Sequence, residues 1–251
     1  MANERFAEYL EEAPKMWLQS LFEESSTQKH PLGVMRPLAD GRMYVYARAG
    51  ATALAPGKLC QTALTDPTNT ANLVPSVANI GDRVIRLTMG DSALANVANA
   101  LAEGWIYVNL HAANGAQAYK IMYHAAIAAN AAGNFYLYDK IRSANIAAGN
   151  GCSLLKNKYK DILIHASVPT GAVVGVPMFS ITANYYAWVQ RKGPAAVLTQ
   201  GTLVVGDHCI PDATTDGAVG PNANGSETEQ IVGRVMQVNA NAHYSLIDLD
   251  I

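Results

Sequence analysis

Six histidines, three cysteines and a sparse set of carboxylates are the residues of this chain able to do chemistry, and their spacing decides which chemistry is open to them. His30, His111, His124, His165, His208 and His243 form no H-x-H, H-x-x-x-H or H-E-x-x-H pattern, so no metal site is read from them. His165 and His208 stand in apolar, strand-like surroundings, where a hydrogen-bonded structural imidazole is the default. Cys60, Cys152 and Cys209 are widely spaced, odd in number and lack C-x-x-C spacing. That argues for three buried thiols in a reducing compartment rather than a zinc site or a disulfide framework. Gly151-Cys152-Ser153 sets one thiol behind a loop-like glycine. A nucleophile also needs a base and an orienting partner, and no serine stands in a G-x-S-x-G elbow. A glycosidase would need two carboxylates flanking the scissile bond. Here Asp66, Asp82, Asp91, Asp139, Asp161, Asp207, Asp212 and Asp216 sit mostly at turns, where the side chain bonds the local backbone. Glu103 is the only glutamate between Glu24 and Glu227. The sequence therefore assigns no catalytic residue, metal ligand or cofactor, and the chain is not read as an enzyme.

One aromatic group remains. Tyr185, Tyr186 and Trp188, with Gln190 and Arg191, have the composition of a stacking platform for sugars or bases. Beside a turn, such a cluster more often divides between core and interface. Trp188, Gln190 and Arg191 are accordingly read as assembly contacts.

These residues need elements to hold them. The 251 residues allow one or two domains, half of them are hydrophobic, and only 15% are charged. A net charge of -2 gives no electrostatic case for nucleic acid. The N-terminus, MANERFAEYLEE, carries early acids and no apolar h-region, so no secretory signal is expected. No uncharged apolar run approaches the roughly 18 residues a membrane span needs.

Residues 3–24 read as helical. Asn3 can cap, Phe6 and Leu10 share a face, and Pro14 opens a second short helix with Trp17, Leu18, Leu21 and Phe22 on its apolar stripe. Two readings stand: a helix docked on its own domain, or an arm (residues 1–30) that reaches a neighbouring subunit, with the polar tract 24–29 as a mobile connector. From Pro31 the grammar is β: short apolar runs between Gly, Pro, Asn and Asp. Strands are expected at 43–47, 58–63, 82–88, 105–110, 158–166, 173–182, 232–238 and 244–249. Residues 112–132 are rich in alanine, but Tyr119, Ile121 and Tyr123 alternate, which favours a hairpin returning through 135–138.

The stretch 183–211 reads as two strands joined by a Gly193-Pro194 turn, then a Gly201 reversal and a Gly206-Asp207 corner. A shorter version lies at 44–60, with Tyr46, Arg48, Gly50, Leu54, Gly57 and Leu59 echoing Trp188, Arg191, Gly193, Leu198, Gly201 and Leu203. Gly50 and Gly57 are read as the matching turns. The echo leaves two options open: one barrel, or two related subdomains at about 31–110 and 111–251. The expected fold is mainly β, a barrel- or sandwich-like domain of short antiparallel strands carrying a short N-terminal helical arm.

Several stretches resemble head proteins of tailed bacteriophages: HPLGVMRPLADGRMYVYARAGATALAPGKL, NKYKDILIHAS, and NYYAWVQRKGPAAVLTQGTLVVGDHCIP followed by IVGRVMQVN. They look most like the auxiliary capsid proteins, called decoration or cement proteins. The resemblance implies a β-rich and often trimeric protein on the capsid exterior, made in the bacterial cytoplasm, tying major capsid subunits together. Its partners would be the major capsid protein and further copies of itself, without nucleic acid or membrane. Low charge and small residues suit a broad flat interface. Contacts are expected from the arm (Trp17, Leu18, Leu21, Phe22), from the 185–191 stretch and from the loop 212–229. Two alternatives stay open: the major capsid protein itself, or a carbohydrate-binding virion protein that meets the host surface. The helical arm and the middle section depart from the smaller decoration proteins.

Overall fold

The computed structural model describes residues 18–69, 73–110, 117–147, 150–222 and 230–251. Its named strands pair antiparallel throughout, and no helix forms among the described residues. The chain divides into two compact units: Met1–Ala63 with Lys158–Ile251, here the framework unit, and Leu64–Asn157, here the inserted unit. A cut near residue 110 would part strands 105–110 and 151–155, which pair in one sheet.

The framework unit holds β1 (Met35–Pro37), β2 (Met43–Arg48), β3 (Cys60–Gln61), β9 (Leu163–Ile164), β10 (Val173–Pro177), β11 (Tyr186–Leu198), β12 (His208–Pro211), β13 (Val219–Pro221), β14 (Gly233–Gln237) and β15 (Tyr244–Asp250). They form one sheet in the order β13-β12-β14-β15-β11-β10-β3-β9, with β2 also on β11 and β1 on β2. β11 is the hub. Its first half pairs with β2 and its second half with β15.

Gly193 and Pro194 do not make the expected turn, because they lie inside β11. Gly193, at φ +83°, sits where the ladder to β2 shifts register and the ladder to β15 begins. Only glycine adopts that φ without strain, so the residue that looks like a turn bends a strand instead. The Gln190 amide staples the bend, donating to the carbonyls of Lys192, Gly193 and Pro194 at 3.0, 3.1 and 3.0 Å. The two echo copies are not separate β units. Trp188 pairs directly with Tyr46, so they are neighbouring strands of one sheet.

Gly57 (φ +70°) does not make the expected reversal: residues 54–61 run on antiparallel to 173–181, with Leu54 opposite Ile181 and Cys60 opposite Gly175. Gly201 (φ +79°) sits at a bend where its N–H donates to Asn241 Oδ1 at 2.7 Å, and Gly206 (φ +92°) forms its corner with Asp207. Gly50 keeps an ordinary φ; its role is close approach, since a Cβ there would stand 3.1 Å from the Asp161 carbonyl.

Residues 18–24 form no helix, which corrects the expected stripe. A helix would give the Gln19 carbonyl to the Glu23 N–H. Instead it accepts from Trp188 Nε1 (3.3 Å) and Arg36 (3.0 Å), while the Gln19 amide donates to the Glu23 and Tyr186 carbonyls. The tract expected as a connector is tied down too. The Glu24 carboxylate accepts from the Thr182 N–H and hydroxyl, and Ser25 bridges to Tyr186. The helix expected before residue 18, with Trp17, lies outside the described residues.

The inserted unit holds β4 (Val84–Thr88), β5 (Trp105–Leu110), β6 (Ala118–His124), β7 (Ala132–Leu137) and β8 (Gly151–Leu155) in the order β4-β7-β6-β5-β8. β6 and β7 form the hairpin that the alternation of Tyr119 and Ile121 predicts. Its core packs Ile85, Leu87, Ile106, Ile121, Phe135 and Leu137 on one face of the sheet. Both edge strands are engaged by one segment: Leu73 bridges to Cys152 on β8, and Pro75 bridges to Leu87 on β4. Unpaired edges invite pairing with other chains, and this arrangement blunts both of them.

Candidate functional site

The residues singled out around β11 converge, but inward. Trp188 is 0% exposed, set against Tyr46 (ring centroids 5.1 Å) and His30 (5.2 Å), with the Arg36 guanidinium over its face. The Tyr46 hydroxyl donates to Gln19 Oε1 at 2.6 Å, and burial pushes its pKa up to about 12. Gln190 is equally buried and takes a hydrogen bond from the Tyr44 hydroxyl. Trp188 and Gln190 are therefore core, not assembly contacts; β11 is buried on both sides from Ala187 to Gln190 and alternates between buried and exposed only from Lys192 on. Arg191 is half-buried, donates to the Ile251 carbonyl, and lies 5.9 Å from the Tyr159 ring centroid. Of the arm residues, Leu18 and Phe22 are 70% and 64% exposed, while Leu21 packs on the Trp188 cluster.

The titratable groups are held in structural roles. Burial lowers the pKa of His165, against the opposing pull of the Ala166 backbone bond and Asp216. Burial and the neighbouring Arg36 lower that of His30. The His124 imidazole accepts from the Leu101 N–H at 3.0 Å. All three thiols are free and buried, and burial pushes Cys152 and Cys209 up to about 12 and Cys60 higher, so each stays protonated at neutral pH. The aspartates lace turns: Asp212 accepts from Thr214 and Thr215, Asp66 from Thr68 and Ser92, and Asp82 from the Asn79 N–H. No group of three His, Cys, Asp or Glu close enough to hold a metal ion occurs among the described residues. A cleft of about 420 Å³ beside the Gly206-Asp207 corner is lined by Thr202, Val204, Asp207, His208, Pro221 and Val235. The expected contact loop 212–229 contributes β13 and hence one wall of that cleft; residues 223–229 lie outside the described set.

Two sheet faces look outward. On the framework unit, β11, β15 and β14 present rows set by register: Lys192 beside Asp250, Pro194 beside Asp248 and Arg234, Ala196 beside Leu246, and Leu198 beside Tyr244. One end is charged, with Lys192 and Asp250 3.4 Å apart. The other end is apolar, where Met236, Tyr244 and Leu246 are exposed beside the small Ala196. The Tyr244 ring lies over Gly57, where a Cβ would come within 2.5 Å of it.

On the inserted unit the outward face is aromatic. Trp105 and Tyr107 on β5, Tyr123 on β6 and Tyr138 after β7 are all exposed, and Tyr136 is half-exposed. Tyr123 and Tyr136 stack at 4.2 Å and 9°, and the Lys120 ammonium lies 5.4 Å from the Tyr138 ring centroid. Sequence reasoning missed this face. The available signal was W-I-Y-V-N-L, in which aromatic and aliphatic residues occupy opposite sides of one strand. No family model, curated protein or solved structure matches the chain.

Proposed function

We propose that the chain is a non-enzymatic structural protein of a tailed-phage head, a decoration protein on the capsid exterior that bridges neighbouring capsid subunits. The observation that carries this reading is the outward face of β11, β15 and β14. Pro194 and Ala196 project little from it, Lys192 pairs with Asp250 at 3.4 Å, Arg234 stands beside Asp248 in the register, and Met236, Tyr244 and Leu246 leave one end apolar. Such a face can lie against a broad partner with its apolar end at the centre of the contact and its charged end at the rim. The resemblance of 30–59 and 183–211 to phage head proteins supports the same reading. The partners are the major capsid protein and other copies of the chain, taken as a trimer, and weak contacts repeated by capsid symmetry give the hold. The test strips the protein from purified heads and measures rupture on heating. Stripped heads should break at lower temperature, and re-adding the wild-type chain should restore them, while Leu246→Glu should not. Stripped heads as robust as intact ones would refute the role. Copy number per particle separates it from a major capsid protein.

A further inference from the structure

We infer that the outward aromatic face of the inserted unit is a binding site for an anionic saccharide chain. Sugar rings would stack on Trp105, Tyr107 and the Tyr123–Tyr136 pair, and Lys120 and Arg86 would meet the sugar carboxylates. The inference is independent of the capsid reading.

The geometry starts from the ladder. Lys120 is the register partner of Trp105, and the Tyr138 N–H donates to the Lys120 carbonyl at 3.0 Å, so Trp105, Lys120 and Tyr138 form one row across three strands. Tyr123 and Tyr136 form the next row, ending at Val84 on β4. Neighbouring strands stand about 4.8 Å apart, so these rings form a track across the sheet rather than one isolated platform. The β-bulge between Ile121 and Tyr123 turns Met122 and Tyr123 to the same exposed side, which thickens the track. The opposite face of these strands is packed core, so the backbone carrying the rings is rigid before any ligand arrives.

A saccharide offers what this surface lacks. Its C–H face stacks on an aromatic ring, while its hydroxyls need hydrogen-bond partners, and the tyrosine hydroxyls and the exposed Asn109 and Asn134 supply them. Charge selects the kind of sugar. Lys120 and Arg86 are the charged strand residues on this face, no carboxylate lies among them, and neither cation makes an ion pair among the described residues. A second copy of the chain would set these cations against each other. Single-stranded nucleic acid would need a line of cations following the phosphates. The inserted unit carries only six Lys and Arg against five Asp and Glu. A protein partner would bury a lysine at the interface centre, where lysine is depleted.

The experiment titrates the full chain calorimetrically with polygalacturonate, with neutral dextran and with a thymidine oligonucleotide at one salt concentration. Polygalacturonate should bind, more weakly as salt rises, and dextran should bind about tenfold or more weaker. Trp105→Ala and Tyr123→Ala should each weaken the polygalacturonate interaction about tenfold, within the range known for stacking platforms. Lys120→Gln should weaken it several-fold and flatten its salt dependence. Trp105 and Tyr123 are exposed and Lys120 is half-buried, and an unchanged melting temperature certifies each variant as folded. Absence of heat with polygalacturonate at millimolar sugar overturns the inference. So do equal binding of dextran, tighter binding of the oligonucleotide, or folded variants that bind as the wild type does.

Discussion

Two tryptophans stand in strands of two sheets and do opposite things. Trp188, on the hub strand of the framework unit, is 0% exposed and wrapped by Tyr46, His30 and Arg36. Trp105, on β5 of the inserted unit, is 42% exposed and faces solvent beside Lys120. The aliphatic members of β5, Ile106 and Val108, took the inward side, leaving the larger aromatic set outside. Burying Ile106 and Val108 lets the small inserted core close. Burying Trp188 fills the space between the N-terminal segment and β2. A strand's inward face is set by what its neighbours need, not by which of its residues is most hydrophobic.

The sharpest way to break this comparison is to delete each indole. Trp188→Ala should cost about 3–5 kcal/mol by chemical denaturation, the usual toll for an emptied aromatic core site. Trp105→Ala should cost about 0.5 kcal/mol or less, as surface changes do. Similar losses at the two sites would remove the distinction. Gly57→Ala comes next, at about 3 kcal/mol, because it combines a strained positive φ with a clash against the Tyr244 ring. Gln190→Leu should cost about 2 kcal/mol, since it strips three strand carbonyls of their donor. Hydrogen exchange should show that loss concentrated at the Gly193 bend.

Acid should weaken the framework unit through its histidines. His30 and His165 both have pKa values lowered by burial, so the folded state takes up protons less readily than the unfolded chain. Their contribution is complete above about pH 6.5 and is lost as pH falls through the lowered folded values. His165→Gln should flatten the stability–pH slope below that point in a melting series. The smallest effect is Lys192→Gln: its pair with Asp250 is exposed on both sides, and the loss should be about 0.5 kcal/mol or less.

The strand grammar from Pro31 onward was legible. β4, β5, β14 and β15 fall where alternation puts them, because each has one buried side, and β2, buried on both sides, falls where its short apolar run puts it. The continuity of the longest strand was not. Gly193-Pro194 carries turn chemistry, and only the Gln190 staple with the change of partner strand makes it a bend within β11. The stripe at 18–22 failed for a similar reason: the Gln19 carbonyl is taken by donors from Arg36 and Trp188, distant in sequence, which local helix patterning does not register. Tyr46 and Trp188 were singled out as an echo that left one barrel or two subdomains open, and their direct pairing sets both copies in one sheet. The aromatic face was invisible because alternation marks two sides of a strand without saying which is wet.

The framework chain breaks off after β3 and resumes just before β9, and these two strands are paired, Gln61 with Leu163. The ends of the break are thus held side by side by a ladder that owes nothing to residues 64–157. Such a seam can accept a foreign segment at the cost of loop closure alone, which grows only slowly with length. A lineage could exchange the whole insert, and with it whatever the insert recognises, without re-registering the sheet that receives it. For the protein engineer the same seam is a grafting port.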